Sequence, residues 1–319
     1  TVADLTHLPT QCKFVALMPQ WDFLNFIAEH ARRYPGFQLR TEAAVTDAVI
    51  DGERVAGVKV QTPQGALEIR ADLVIGADGR HSTVRDRAGL EVINVGAPMD
   101  VLWMRLSRNE GDPPQTLGRV DNGRIMVMLN RHTYWQCAFV ISKGGYDEIR
   151  ARGLQEFRDE IARLSPYLHD RVAELKSWDD IKLLTVAVDR LRRWHRPGLL
   201  CIGDAAHAMS PIGGVGINLA IQDAVASANI LVPAFARGSV TAADLAAVQQ
   251  RRTFPTRMTQ GMQVLVPERV IRRVLASSGP MSLPWPLKLL RRYPVLRRIP
   301  ARLIGMGFRP EHVEPGAAT

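Results

Sequence analysis

Cysteine is scarce in this 319-residue chain and badly placed for structural chemistry. Cys12, Cys137 and Cys201 are odd in number and far apart, which excludes a disulfide framework and offers no metal-ligand spacing. They read as small, buried, reduced thiols of a cytoplasmic protein. Long apolar runs are missing too: nothing approaches the ~18 to 20 uninterrupted residues of a membrane span. No basic stretch followed by an apolar one opens the chain. There is no G-x-G-x-x-G between a strand and a helix; the nearest pattern, Gly213-Gly214-Val215-Gly216, comes late. No nucleophile–base pair, carboxylate dyad or metal cluster stands out, so difficult chemistry would fall to a bound cofactor.

What is present is an ordinary globular composition, 46% apolar and 23% charged, at a length that suits two domains. The net charge of +9 is concentrated. Arg269, Arg272, Arg273, Lys288, Arg291, Arg292, Arg297, Arg298, Arg302 and Arg309 follow one another without an intervening acid, and the rest of the chain is nearly neutral. Basicity confined to one segment argues against nucleic-acid binding by the whole protein.

Two stretches carry the chemistry. Pro197 to Leu231 reads PGLLCIGDAAHAMSPIGGVGINLAIQDAVASANIL: a short apolar strand, then Gly203-Asp204, a glycine-rich turn and an apolar helix. Such a junction points free N–H groups and a helix dipole at an anion; alternatively its glycines serve only tight packing. The earlier stretch, Asp72 to Arg85, reads DLVIGADGRHSTVR, a buried strand ending in Asp78-Gly79. Two acid-ended strands would bring both carboxylates to one sheet edge, where ligands of open α/β sheets bind.

These residues resemble the class A FAD-dependent monooxygenases, the para-hydroxybenzoate hydroxylase-like family. Its DGxxSxxR pattern is met by Asp78, Gly79, Ser82 and Arg85. Its GDAAHxxxPxxGxGxN pattern is met by Gly203, Asp204, Ala205, Ala206, His207, Pro211, Gly214, Gly216 and Asn218. The resemblance implies FAD, NADH or NADPH as electron donor, and transfer of one oxygen atom of O2, through a flavin C4a-hydroperoxide, to an aromatic or other electron-rich small molecule. It also implies that the chain begins past the family's first βαβ unit. A flavin reductase or dehydrogenase on the same fold, or a fragment unable to hold FAD tightly, are the alternatives.

By that resemblance Asp204 accepts from ribityl hydroxyls, and Asp78 and Gly79 lie by the pyrophosphate with Arg85 bracing their turn. Gly216, Ile217 and Asn218 present N–H groups to the pyrimidine edge of the flavin, and Pro211 borders the ring where substrate arrives. Gln20 contacts the cofactor, the backbone near Val45 lies against the adenine while the residue itself is core by pattern, Gly203 and Gly214 complete the set, and His207 braces the turn.

The implied fold is α/β. A Rossmann-like FAD-binding domain (1–96, resumed at 190–265) is interrupted by a mainly antiparallel substrate-binding sheet (97–189) and followed by a basic helical tail (266–319). Periodicity predicts a helix capped by Asp22 with Phe23, Phe26, Ile27, Ala31 and Tyr34 on one face. Strands are predicted over 45–50, 55–61, 66–70, 101–106, 124–129, 134–141 and 183–188, and helices over 154–164, 217–231 and from Thr241 to about Gln263. Trp103, Met104, Met126, Met128, Trp135 and Phe139 are pocket candidates or plain core. Residues 190–197 (RLRRWHRP) read as a solvated loop in preference to a phosphate site. The tail reads as a cover whose arginines pair with acids of the body or of the absent N-terminal part; the other reading is an amphipathic surface for anionic membrane or a lipophilic substrate.

Overall fold

A glycine turn sets the first sheet of the computed structural model, which describes residues 3–16, 18–97, 99–114, 116–121, 123–275 and 285–314. After helix α1 (Gln20–Ala31), strand β1 (Ala44–Asp51) pairs antiparallel with β2 (Arg54–Thr62), and β2 with β3 (Gly65–Arg70). Asp51 faces Arg54 across a two-residue connection. Gly52 takes the left-handed φ of +57° that this tight, twisted link requires. Next come β4 (Val74–Gly76), α2 (Thr83–Arg87) and β5 (Val92–Asn94).

A five-stranded antiparallel sheet follows: β6 (Met99–Ser107), β7 (Leu117–Asp121), β8 (Arg124–Asn130), β9 (Tyr134–Ser142) and β10 (Lys182–Leu184). Its order is β10-β6-β9-β8-β7. Helices α3 (Tyr146–Arg152) and α4 (Leu154–Leu164) separate β9 from β10. Strand alternation puts Met104, Met126, Met128, Trp135 and Phe139 on one face, where Phe157, Ile161 and Leu164 of α4 close over them. Each large side chain so buried contributes roughly 1.5–3 kcal/mol. These five pocket candidates are therefore core, and Trp103 alone lies on the opposite face, half-buried. The strand expected over 183–188 stops at Leu184, because Val186 turns its N–H onto the buried Asp100 carboxylate at 2.9 Å.

The chain returns through β11 (Asp189–Leu191), which pairs with β5, and β12 (His195–Arg196) to β13 (Leu199–Cys201). β13 lies parallel to β4, with Cys201 opposite Gly76. Helices α5 (Gly216–Ala236) and α6 (Ala242–Leu275) add Leu231, Leu245 and Val248 to the core around β13. Thr241 caps α6 reciprocally: its hydroxyl accepts from the Asp244 N–H at 3.3 Å, and Asp244 accepts from the Thr241 N–H at 2.8 Å. This helix outruns its expected end at Gln263. Among the described residues α5 alone has the length and mean hydropathy, 1.4, of a membrane-crossing helix, yet a buried acid at its centre, Asp223, fastens it inside the fold. The molecule is thus mixed α/β, with antiparallel sheets and a helical C-terminal part that ends in α7 (Trp285–Arg292) and α8 (Arg298–Gly305).

Three expectations need correction. Helix α1 starts at Gln20 behind Pro19, so Asp22 stands in its first turn and does not cap it. No residue of α1 is buried; Phe26, Ile27 and the nearby Tyr34 are exposed. Cys12 is exposed, whereas Cys137 and Cys201 are buried, and burial pushes both of those thiols up to about 12. In the tail, Lys288, Arg291, Arg292 and Arg302 pair with no carboxylate among the described residues; the ion pairs run the other way, from Arg251 and Arg252 of α6 to Glu311. The side chains of Arg269, Arg272 and Arg273 lie outside the described residues.

Candidate functional site

Because β4 and β13 run side by side in the same direction, the residues after each fall on one sheet edge. Arg80, from the first turn, reaches across to within 3.6 Å of the Asp204 carboxylate in the second. Arg85 joins the two turns from below. It is buried, and its guanidinium donates to the carbonyls of Arg80 at 2.8 Å and Ala205 at 3.4 Å.

The two acids are used differently. Asp78 turns back into its own loop, accepting from the Ser82 hydroxyl at 2.5 Å and the Val84 N–H at 3.2 Å. Ser82 in turn caps α2 through the Arg85 N–H at 3.0 Å. Asp204 has no comparable role inside its own turn, and its side chain is 35% exposed with Arg80 beside it. Asp78 shapes the turn, and Asp204 offers a carboxylate to the edge.

The glycines answer to backbone demands. Gly203 has a φ of +58°, and a Cβ there would sit 3.0 Å from the Ala220 methyl. Both facts require glycine, and the close approach lets α5 pack at Ala220 directly against Gly203. Pro211, half-exposed, accepts the Gly214 N–H at 3.1 Å. Gly213 and Gly214 then pass through left-handed φ values of +80° and +62° and deliver the chain to Gly216, Ile217 and Asn218. Helix α5 starts without a side-chain cap, and Ile217 and Asn218 are exposed. An uncapped, exposed helix start directs N–H dipoles outward and favours negative charge.

Beneath these turns lies a buried ionic cluster that sequence reasoning missed. Asp223, fully buried in α5, accepts from the Gly203 N–H at 3.0 Å and from Arg252 Nε of α6 at 2.9 Å; His207 Nε2 lies 2.6 Å away. Burial alone would raise the Asp223 pKa, but the charges and hydrogen bonds of His207 and Arg252 outweigh it and hold the carboxyl below its ordinary value. Trp194 packs on the His207 ring at 4.9 Å. The signal was available, since Asp223 is the single acid in an otherwise apolar helix.

The remaining candidates are more peripheral. Val45 of β1 is half-buried against the core under the turns. Gln20 is exposed at the start of α1, and no hydrogen bond among the described residues ties it to either turn. The basic run 190–197 lies alongside β13, from Leu191, whose N–H donates to the Ala206 carbonyl at 2.7 Å, to Arg196, which pairs with Leu199 at the start of the strand. Its arginines are structural fasteners: Arg192 to Glu91 at 2.7 Å, Arg196 to the carbonyls of Glu53 and Ala88 at 2.8 and 2.9 Å, and Arg190 to Gln260 at 3.0 Å. Among the described residues no group of three or more His, Cys, Asp or Glu is placed to hold a metal. An apolar cavity of 290 Å³ opens beside the glycine turn between α5, α6 and α8, lined among others by Val215, Leu219, Met262, Leu303 and Phe308.

A parallel strand pair with acid- and glycine-bearing ends, facing an uncapped helix across a glycine turn, defines a protein that binds a nucleotide-type cofactor. The family model described as FAD binding domain matches residues 1–261. The chain is 33% identical over 309 residues to 6-methylpretetramide 4-monooxygenase of Streptomyces rimosus, covering 94% of this chain and 72% of that enzyme. It is 24% identical over 270 residues to para-nitrophenol 4-monooxygenase of Pseudomonas sp. (strain WBC-3), covering 77% of this chain and 60% of that one. Among solved structures, anhydrotetracycline hydroxylase of Streptomyces rimosus superposes with a TM-score of 0.66 at 23% identity, over 94% of this chain and 59% of that chain. A flavin-dependent brominase shares the fold as well, with a TM-score of 0.67 at 18% identity, over 89% of this chain and 69% of that chain. The chain belongs to the FAD-binding family of the class A flavoprotein monooxygenases.

Proposed function

We propose that the protein is an FAD-dependent monooxygenase that hydroxylates an aromatic or other electron-rich small molecule, with O2 as oxidant and NADH or NADPH as electron donor. The observation that carries this reading is the meeting of Asp204, the Asp78-Gly79 turn and the uncapped start of α5 at one sheet edge, in a chain related at 33% identity to an enzyme named as a monooxygenase.

The residues fit FAD. A carboxylate one-third exposed suits sugar-like hydroxyls, and the left-handed Gly213 and Gly214 bare the backbone before a helix start that favours negative charge. Bound FAD supplies the electron transfer and the activation of oxygen. The chain's own part is positioning and electrostatics. Asp204 accepts from the ribityl hydroxyls, and Gly79 and Gly203 let the backbone approach the cofactor closely, with Asp78 and Arg85 holding their turns. The N–H groups of Gly216, Ile217 and Asn218 would hold the pyrimidine edge of the flavin and favour negative charge there, an oxyanion-hole type of effect. Pro211 would border the flavin ring where substrate arrives. The backbone near Val45 would lie against the adenine, and Gln20 would contact the cofactor.

The cavity beside the turn takes the apolar body of the substrate. For scale, an apolar cavity of roughly 150 Å³ holds a single benzene ring. The two buried cysteines and their unpaired state suit the cytoplasm, where we place the protein. The test is to purify the protein, look for flavin absorbance, and compare NAD(P)H oxidised with hydroxylated product formed from a panel of phenols and fused-ring aromatics. Product matching NAD(P)H is expected. NAD(P)H oxidation that yields only peroxide with every substrate would overturn the monooxygenase reading.

A further inference from the structure

We propose that the C-terminal segment from Trp285 to Ile304 is a docking face for an anionic lipid bilayer. The face is built from two short amphipathic helices joined through Pro294–Arg297. Along α7, Trp285, Lys288, Leu289 and Arg292 recur at helical spacing on one side, and all four are exposed. Trp285 is 75% exposed. Tyr293 and Val295 in the connection and Ile299 in α8 are exposed as well, and Arg302 stands one turn on from Ile299. Water-facing aromatic and aliphatic side chains interleaved with basic ones are the composition of an interfacial helix.

Charge decides the partner. Lys288, Arg291, Arg292 and Arg302 have no carboxylate partner among the described residues, and no acid occurs in the sequence between Arg269 and Arg309. The tail is seated on the body through Glu311, which pairs with Arg251 and Arg252, but these four cations lie exposed and take no part in that seating. Without carboxylates of their own, they complement the negative potential of an anionic membrane surface. Nucleic acid satisfies the cations equally well but has no place for Leu289, Val295 and Ile299, whereas the hydrocarbon boundary buries them. The inner side of α8, at Pro300 and Leu303, walls the apolar cavity, so the docking face and the cavity share one helix.

The test is sedimentation of the full chain with vesicles of phosphatidylcholine alone or mixed with phosphatidylglycerol. Binding to the anionic vesicles is expected to be at least about tenfold tighter than to the neutral ones, and to weaken by about tenfold or more on going to about 1 M salt. Each basic side chain near such a surface contributes roughly fivefold, so Lys288→Gln, Arg291→Gln and Arg292→Gln together should cost on the order of a hundredfold. Trp285→Ala with Ile299→Ala should cost about tenfold while leaving the salt dependence intact. All five positions are exposed, and the salt dependence of the unmodified protein needs no variant. Equal binding to both vesicle types, or indifference to the triple substitution, would overturn the proposal. So would tighter binding to duplex DNA than to anionic vesicles, lost in the same triple variant.

Discussion

Two buried carboxylates, one in each half of the molecule, hold an arginine and do different work. Asp112, beside the five-stranded sheet, grips Arg171 with both oxygens at 2.5 and 3.0 Å and also accepts from Trp135 Nε1 at 2.8 Å and the Asn109 N–H at 3.1 Å. Every partner belongs to the core or its loops, so this cluster fastens the sheet and nothing else. Asp223 binds Arg252 through one oxygen only, at 2.9 Å, and its other oxygen faces His207 and the N–H of Gly203. That third partner is the start of the turn carrying Asp204. One ion-pair chemistry closes a core in the first case and sets the position of a cofactor turn in the second.

Breaking each cluster should separate these roles. Asp223→Asn removes the nearer of the two carboxylates that pair with the buried Arg252 guanidinium and leaves only Glu311 at 3.4 Å, an expected loss of about 3 kcal/mol in chemical denaturation. FAD affinity should fall by about tenfold or more in the same variant as Gly203 is released. Asp112→Asn should cost about 3 kcal/mol for the same reason, yet leave the FAD dissociation constant within about twofold.

The acid limb of stability sharpens the contrast. Burial would raise the Asp112 pKa, but Arg171 and Trp135 outweigh it and hold it at about 2, against the ordinary 3.8. A carboxyl depressed on folding stabilises above its unfolded pKa. Its contribution, about 2 kcal/mol, is therefore fully present above about pH 4 and disappears as pH falls toward 2. Denaturation midpoints of the parent should drop over that window, and those of Asp112→Asn should drop less.

Smaller effects are expected at the turn and the cavity. Gly203→Ala forces a Cβ onto a left-handed φ and against Ala220, at a cost of roughly 1–2 kcal/mol by thermal melt. Met262→Trp fills part of the cavity and should raise KM for a fused-ring substrate by about tenfold, with little change in kcat if the cavity holds only the non-reacting body.

Much of this arrangement was legible in the sequence, for a physical reason. Apolar strand-length runs ending at Asp78-Gly79 and Gly203-Asp204 record both burial and the point where burial stops, and the parallel pairing of β4 with β13 follows. Glycines at 203, 213 and 214 record backbone angles no other residue adopts cheaply. Long-range polar pairing left no such local trace: Asp223 and Arg252 are 29 positions apart, and no pattern within either helix names the other. Trp135 and Phe139 illustrate the reverse limit. A large apolar side chain on a strand looks the same in the sequence whether a helix or a ligand covers it, and here α4 does. The Asp22 cap failed because Pro19, with φ −58°, already presets the chain for a helix starting at Gln20.

The central claim is that the edge shared by the two acid-ended strands holds FAD through Asp204, and an FAD titration of the parent against Asp204→Ala tests it most directly. Asp204 is partly exposed and makes no internal hydrogen bond that the fold needs, so the substitution should change stability by no more than about 0.5 kcal/mol. The account predicts flavin uptake by the parent and a dissociation constant about tenfold or more weaker in the variant, the value of one charge-assisted hydrogen bond. No flavin uptake by the parent, or equal affinity in the two proteins, would contradict it.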